Sequence, residues 1–168
     1  MEIQQYFTEL GFPPALVIII IAAMPILELR GAIPIAIGVF EFPWLTALCL
    51  ALLGNVLPIP FILLFLNWLT RVLSHFVFFR KFFLWLFDHT RNLTKVVERY
   101  ERIGLTIFVA IPLPITGAWT GAIAAVLLDI PFWHALKYIL LGIFIAGIVV
   151  TALTLLGWYG ILVALVAF

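Results

Sequence analysis

Twenty-nine consecutive residues between Glu41 and Arg71 carry no charge. A helix of about 20 apolar residues crosses the roughly 30 Å hydrocarbon core of a bilayer. The run therefore predicts one spanning helix with a long tilt, loosened by Gly54, Pro58 and Pro60. Residues 138–168 are also uncharged and predict a second span, and Gly157 and Gly160 leave open whether a short last segment divides off. A third uncharged run, 103–128, is cut in its middle by Pro112, Pro114, Gly117 and Gly121. Proline removes a donor and glycine loosens a helix, so this run reads as two short arms. The chain is 66% hydrophobic and 10% charged, against about 45–50% and about 25% in soluble domains. An integral membrane protein is expected, and a soluble enzyme with a sizeable aqueous core is excluded.

Within this apolar chain one stretch is out of place. Pro25-Ile26-Leu27-Glu28-Leu29-Arg30-Gly31-Ala32-Ile33-Pro34 holds a carboxylate and a guanidinium, and no other charge lies between Glu9 and Glu41. A charge at bilayer depth costs at least about 2.5–3.5 kcal/mol. Pro25, Gly31 and Pro34 interrupt the helix where the charges sit. Broken backbone at that depth is tolerated only where protein buries it or a wet cavity borders it. The stretch reads as the tip of a re-entrant hairpin facing a polar site. Its first arm, from Pro13-Pro14 to Leu27, rises roughly 22 Å as a helix, short of a crossing. Its return arm runs from Gly31 to Phe40.

Residues 1–12 read as a short amphipathic or interfacial segment with Glu2, Glu9 and no Lys or Arg; cleavage of a signal peptide is not expected. One cysteine, Cys49, excludes a disulfide framework within the chain. Residues 71–102 hold Arg71, Arg80, Lys81, Arg91, Lys95, Arg99 and Arg102 against Asp88, Glu98 and Glu101. Cytoplasmic loops carry such an excess, so segment 71–103 is expected in the cytoplasm. Phe82, Phe83, Trp85 and Phe87 make it amphipathic and suited to an anionic membrane surface; a solvated connector with one greasy face is the alternative.

The halves on either side resemble each other. Glu41-x-Pro43-Trp44 matches Asp129-x-Pro131-Phe132-Trp133, and each is an interface turn with tryptophan at headgroup level. Eleven residues after each proline stands the glycine of a Leu-Leu-Gly, at Gly54 and at Gly142. Gly31-Ala32-Ile33 matches Gly121-Ala122-Ile123, displaced by two residues. The expected fold is an all-α polytopic membrane protein built as an inverted repeat. Each unit is a re-entrant broken hairpin plus a transmembrane helix: unit one is 1–70, unit two 104–168, with the connector 71–103 between. A hairpin returns to the side it entered, so each unit crosses once and the second is inverted, with both tips near the midplane. That is the pattern of secondary transporters.

The arms after the breaks are expected to begin near Gly31 and near Thr120-Gly121, so two helix N-termini point at the centre. Each N-terminus carries about half a positive charge, which suits an anion. Arg30 adds a permanent cation able to bind in bidentate fashion. Thr116 and Thr120 offer hydroxyls, and Trp119 a donor on a flat apolar wall. Satisfaction of freed backbone groups is the alternative role for the two threonines. Glu28 could carry a coupling proton, neutralise Arg30 when the site is empty, or pair with it structurally to pin the loop. Pro25, Pro34, Pro112, Pro114, Gly117 and Gly121 shape the hairpins, and Glu41 and Asp129 mark gating or interface positions. His75, His89 and His134 read as interfacial or solvated. No catalytic residue, metal-ligand spacing or cofactor motif stands out, and no nucleic-acid partner is expected.

Glu28-Leu29-Arg30-Gly31-Ala32-Ile33-Pro34 and Pro112-Leu113-Pro114-Ile115-Thr116-Gly117-Ala118-Trp119-Thr120-Gly121 resemble the two motifs of the small multidrug export proteins of bacteria and archaea. That family is similar to the wider DedA/VTT superfamily. The resemblance covers essentially the whole chain. It implies a prokaryotic plasma membrane, two opposed re-entrant hairpins and transport. DedA relatives are linked to proton-dependent handling of lipid phosphates such as undecaprenyl phosphate, and eukaryotic relatives to lipid scrambling. DedA-like proteins carry arginine in the second hairpin, whereas residues 103–128 here have no charge. The leading expectation is a transporter or flippase for an amphiphilic anion, with a lipid phosphate as substrate and membrane lipids and a second copy of the chain as partners. The alternatives are export of amphiphilic cations with Glu28 as counter-ion, and an uncoupled lipid scramblase or a membrane scaffold.

Overall fold

The computed structural model describes residues 13–73, 101–112 and 116–166. Every element among them is helical: α1 Pro14–Ala23, α2 Glu28–Gly38, α3 Trp44–Val56, α4 Pro58–Leu73, α5 Glu101–Ala110, α6 Ala118–Leu127 and α7 Phe132–Val166. The N-terminal amphipathic segment and most of the basic connector, with His75 and His89, lie outside the described residues.

Proline sets most of the boundaries. Pro14 starts α1, where its missing N–H costs nothing. Met24, ahead of Pro25, is extended at φ −73 and ψ 142, as the clash with a following proline ring favours. The chain turns over Met24–Leu27, and the Glu28 N–H closes the turn on the Met24 carbonyl at 3.2 Å. The break is thus earlier and tighter than expected. Helix α2 begins at Glu28 and continues through Gly31 and Pro34 to Gly38, so both charges sit in its first turn. One lost hydrogen bond at Pro34 does not stop it. In the same way α6 begins at Ala118, two residues before Thr120.

Among the described residues two helices are long and apolar enough to cross a membrane, Trp44–Leu66 and Phe132–Gly157. The first runs through Leu57, which keeps helical angles of φ −55 and ψ −45 although Pro58 follows it. The second continues as α7 through Gly157 and Gly160 to Val166, so the helix does not divide there, a point that the sequence leaves open. Large apolar side chains on these helices face outward: Phe61, Leu64, Phe65, Trp68, Leu153 and Leu156 are each more than half exposed. Such an exposed apolar surface suits a lipid environment and agrees with the composition. Helices α1 and α6 are apolar but only ten residues long.

The chain packs as two compact units. One comprises Met1–Pro58 with Ile143–Phe168, and the other Ile59–Gly142. In the first, α1, α2 and α3 pack pairwise around Ile18, Ala22, Ala32, Ile33, Ala36, Ala47 and Ala51, all fully buried. Gly54 lets α3 lie directly on α1: a Cβ there would collide with the Ile19 carbonyl oxygen and come within 2.8 Å of the Ala22 Cβ. In the second unit α5 packs on α6. Gly142 lies against α5, where a Cβ would stand 2.8 Å from the Thr106 carbonyl oxygen and 2.6 Å from the Val109 Cβ. Thr106, itself buried, donates its hydroxyl to the Tyr138 carbonyl at 3.1 Å.

Candidate functional site

The residues singled out in the sequence gather on two hairpins, one in each unit. On the first hairpin Glu28 turns inward and is 7% exposed, while Arg30 is half-buried. Glu28 adopts φ 47, a left-handed conformation that costs a non-glycine residue about 1–2 kcal/mol. Strain of this kind persists where the surroundings over-determine it, and it clusters at functional sites. A carboxylate in the first turn of α2 is favoured by the helix dipole, which weighs against an equally placed cation. The side chains of Pro25 and Ile26 project outward, Ile26 at 84% exposure. Gly31 sits within α2, its N–H bonded to Leu27, and the exposed Pro34 lies one turn on.

On the second hairpin Thr116 donates its hydroxyl to the Ile111 carbonyl at 2.7 Å, and Thr120 donates to the Gly117 carbonyl at 3.3 Å. The Thr116 proton therefore satisfies a carbonyl just past the end of α5, whereas the Gly117 carbonyl that takes the Thr120 proton also accepts the Gly121 N–H at 2.8 Å. In this conformation neither threonine offers its proton to an anion. Trp119 is half-buried at the start of α6, and Gly117 and Gly121 are buried. Pro112 follows the end of α5, whereas Pro114 lies outside the described residues. Thr116→Val is expected to destabilise the protein by about 0.5–1.5 kcal/mol, the net worth of one hydrogen bond; thermal melting in detergent measures it.

Each hairpin ends alike. Glu41 and Asp129 stand at φ 54 and φ 53. At Asp129 the last turn closes with Asp129 N–H to Val126 O at 3.1 Å and Ile130 N–H to Ala125 O at 2.9 Å, the left-handed helix stop usually given to glycine. At Glu41 the closure is wider, with Phe42 N–H on the Ala36 carbonyl at 2.9 Å. Both acids are exposed, as is His134. Among the described residues no group of three His, Cys, Asp or Glu side chains is placed to hold a metal ion.

Sequence reasoning passed over Asn55. It is 1% exposed on α3, and its side-chain oxygen has no hydrogen-bond partner. Its signal was a carboxamide in the interior of an uncharged apolar run.

A family model described as "Putative small multi-drug export protein" matches residues 28–149, which takes in both hairpin motifs and the two interface turns. Neither a curated protein nor a solved structure matches the chain.

Proposed function

The chain belongs to the small multidrug export family, and from that premise we propose a secondary transporter or flippase for an amphiphilic anion, with a lipid phosphate as the leading substrate class. The observation that carries this reading is Arg30 in the first turn of α2 beside the buried, strained Glu28. A guanidinium and a helix N-terminus together favour a tetrahedral or planar oxyanion. Glu28 carries the coupling proton.

The same reading makes each hairpin re-entrant and the two halves an inverted repeat. Helices α1 and α2 have 10 and 11 residues, about 15–17 Å at 1.5 Å per residue, half of a bilayer core. The left-handed acids Glu41 and Asp129 and the glycine seats Gly54 and Gly142 fall at matching places in the two halves. One crossing per half then inverts the second half, and the basic connector 71–103 faces the cytoplasm. Backbone exposed at the hairpin tips needs protein cover in a membrane, which we assign to a homodimer in a prokaryotic plasma membrane. The relationship to DedA/VTT proteins belongs to this proposal as well.

Thermal stabilisation of the purified wild-type protein at two pH values tests it. The probes are an isoprenoid phosphate, phosphatidic acid and the lipophilic cation tetraphenylphosphonium. The expected result is stabilisation by the phosphates alone. Stabilisation by the cation alone, lost in Glu28→Gln, moves the function to cation export. In proteoliposomes, phosphate-lipid translocation that persists undiminished when the proton gradient is collapsed removes the coupling role of Glu28 and leaves a scramblase.

A further inference from the structure

Asn55 is the buried polar group that the transport reading leaves unused. Gly54 beside it faces α1 at Ile19 and Ala22, while Leu48 and Leu52 on the same helix meet Gly147 of α7. At 100° per residue Asn55 falls between these two faces, at the junction of α1, α3 and α7 within one compact unit. Its residue is 1% exposed, yet the amide oxygen has no hydrogen-bond partner among the described residues. A buried acceptor left unsatisfied carries the full desolvation penalty of the group. Packing does not ask for an amide here: the corresponding residue after the second Leu-Leu-Gly is Ile143, and it is as fully buried.

Within this unit the described parts of α1 and α7 offer the oxygen no uncommitted side-chain donor. Helix α1 is entirely apolar from Pro14 to Ala23, and its backbone N–H groups belong to the helix. On α7, Thr151 and Thr154 spend their protons on the Gly147 and Val150 carbonyls at 2.7 and 2.8 Å. Pro58 and Pro60 have no N–H, so the carbonyls of Gly54 and Val56 lose their usual helical donors. A neutral oxygen that lacks a donor, on a helix where two nearby carbonyls have lost theirs to proline, is the kind of ligand that transporters offer to alkali cations.

We propose that Asn55 is a ligand in a site for a monovalent metal cation inside this unit. A divalent ion is disfavoured because hard divalent cations take carboxylates, and no acidic cluster lies among the described residues. The proposal is independent of which amphiphile is carried, because it concerns binding by the resting protein.

The test is thermal melting of the full-length protein in detergent, titrated with sodium chloride, potassium chloride or choline chloride at constant ionic strength. A ligand that binds only the folded state raises Tm with its concentration. The expected result is a rise of a few degrees with sodium or potassium over choline, levelling off once the site is filled. Asn55→Leu, of similar size, is expected to melt at least as high as wild type in choline and to lose the alkali-cation response. Asn55→Ala serves if leucine overpacks the junction. Equal melting of the wild type in all three salts overturns the proposal, since a buried water would then satisfy the oxygen. A cation response that survives both substitutions overturns it too, because the ion then sits elsewhere.

Discussion

Gly54→Ala is expected to prevent stable folding of the first hairpin. The added methyl would enter the Ile19 carbonyl oxygen and press on the Ala22 Cβ at 2.8 Å. Neither obstacle has a rotamer to change. Only separation of α3 from α1 relieves the clash, and that opens the packing among Ile18, Ala22, Ala47 and Ala51. Overpacking a well-filled core costs about 1–3 kcal/mol, and more where backbone must move. The loss is read as a fall in Tm and in the yield of monodisperse protein. Gly142→Ala is expected to do the same in the second unit, through the Thr106 carbonyl and Val109. Gly157→Ala is the control: nothing lies within 4 Å of the added methyl, and alanine gains up to about 1 kcal/mol of helix propensity over glycine. If Gly54→Ala melts with the wild type, α1 and α3 are not in the close contact described.

Arg30→Ala is expected to reduce phosphate-lipid affinity by about 10- to 150-fold, the worth of a hydrogen bond to a charged group at 1.5–3 kcal/mol. Arg30→Lys keeps the charge but loses the planar fork, so it is expected to recover only part of the affinity. Glu41→Gln, at an exposed hairpin end, is expected to leave affinity unchanged. Binding is followed by the ligand-induced shift in Tm, each variant referred to its own unliganded melt. That reference separates a lost ligand contact from a loosened hairpin. An Arg30→Ala protein with wild-type affinity would remove the anion site from this hairpin.

The hairpins show how far reading the chain alone carries and where it stops. Among the described residues, Pro25, Pro112 and the acid-x-proline turns mark the ends of the hairpin arms, because proline acts on its own backbone and on the residue before it. The first break falls at Met24–Leu27, a few residues before the Gly31 that the sequence suggests. Gly31 and Pro34 resemble helix breakers, yet α2 runs through both, since packing against α1 and α3 offsets a weak propensity and one missing bond. Thr116 and Thr120 could be assigned to the tip but not to their partners. Only the turn geometry shows that their protons go to Ile111 and Gly117.

The sequence by itself determined the apolar, helical class and, to within a few residues, where the backbone breaks, and its two motifs carried the family. Those properties follow from the partition of apolar side chains into lipid and from the covalent limits of proline, both local to the residue. Tertiary structure decided that Glu28 is turned inward and strained, that Asn55 is sealed without a partner, and that Gly54 and Gly142 are seats for another helix while Gly157 is not. Each of these depends on an atom supplied from a different part of the chain. A carbonyl at Ile19 or Thr106 can exclude a methyl at Gly54 or Gly142 only once the two helices have come together.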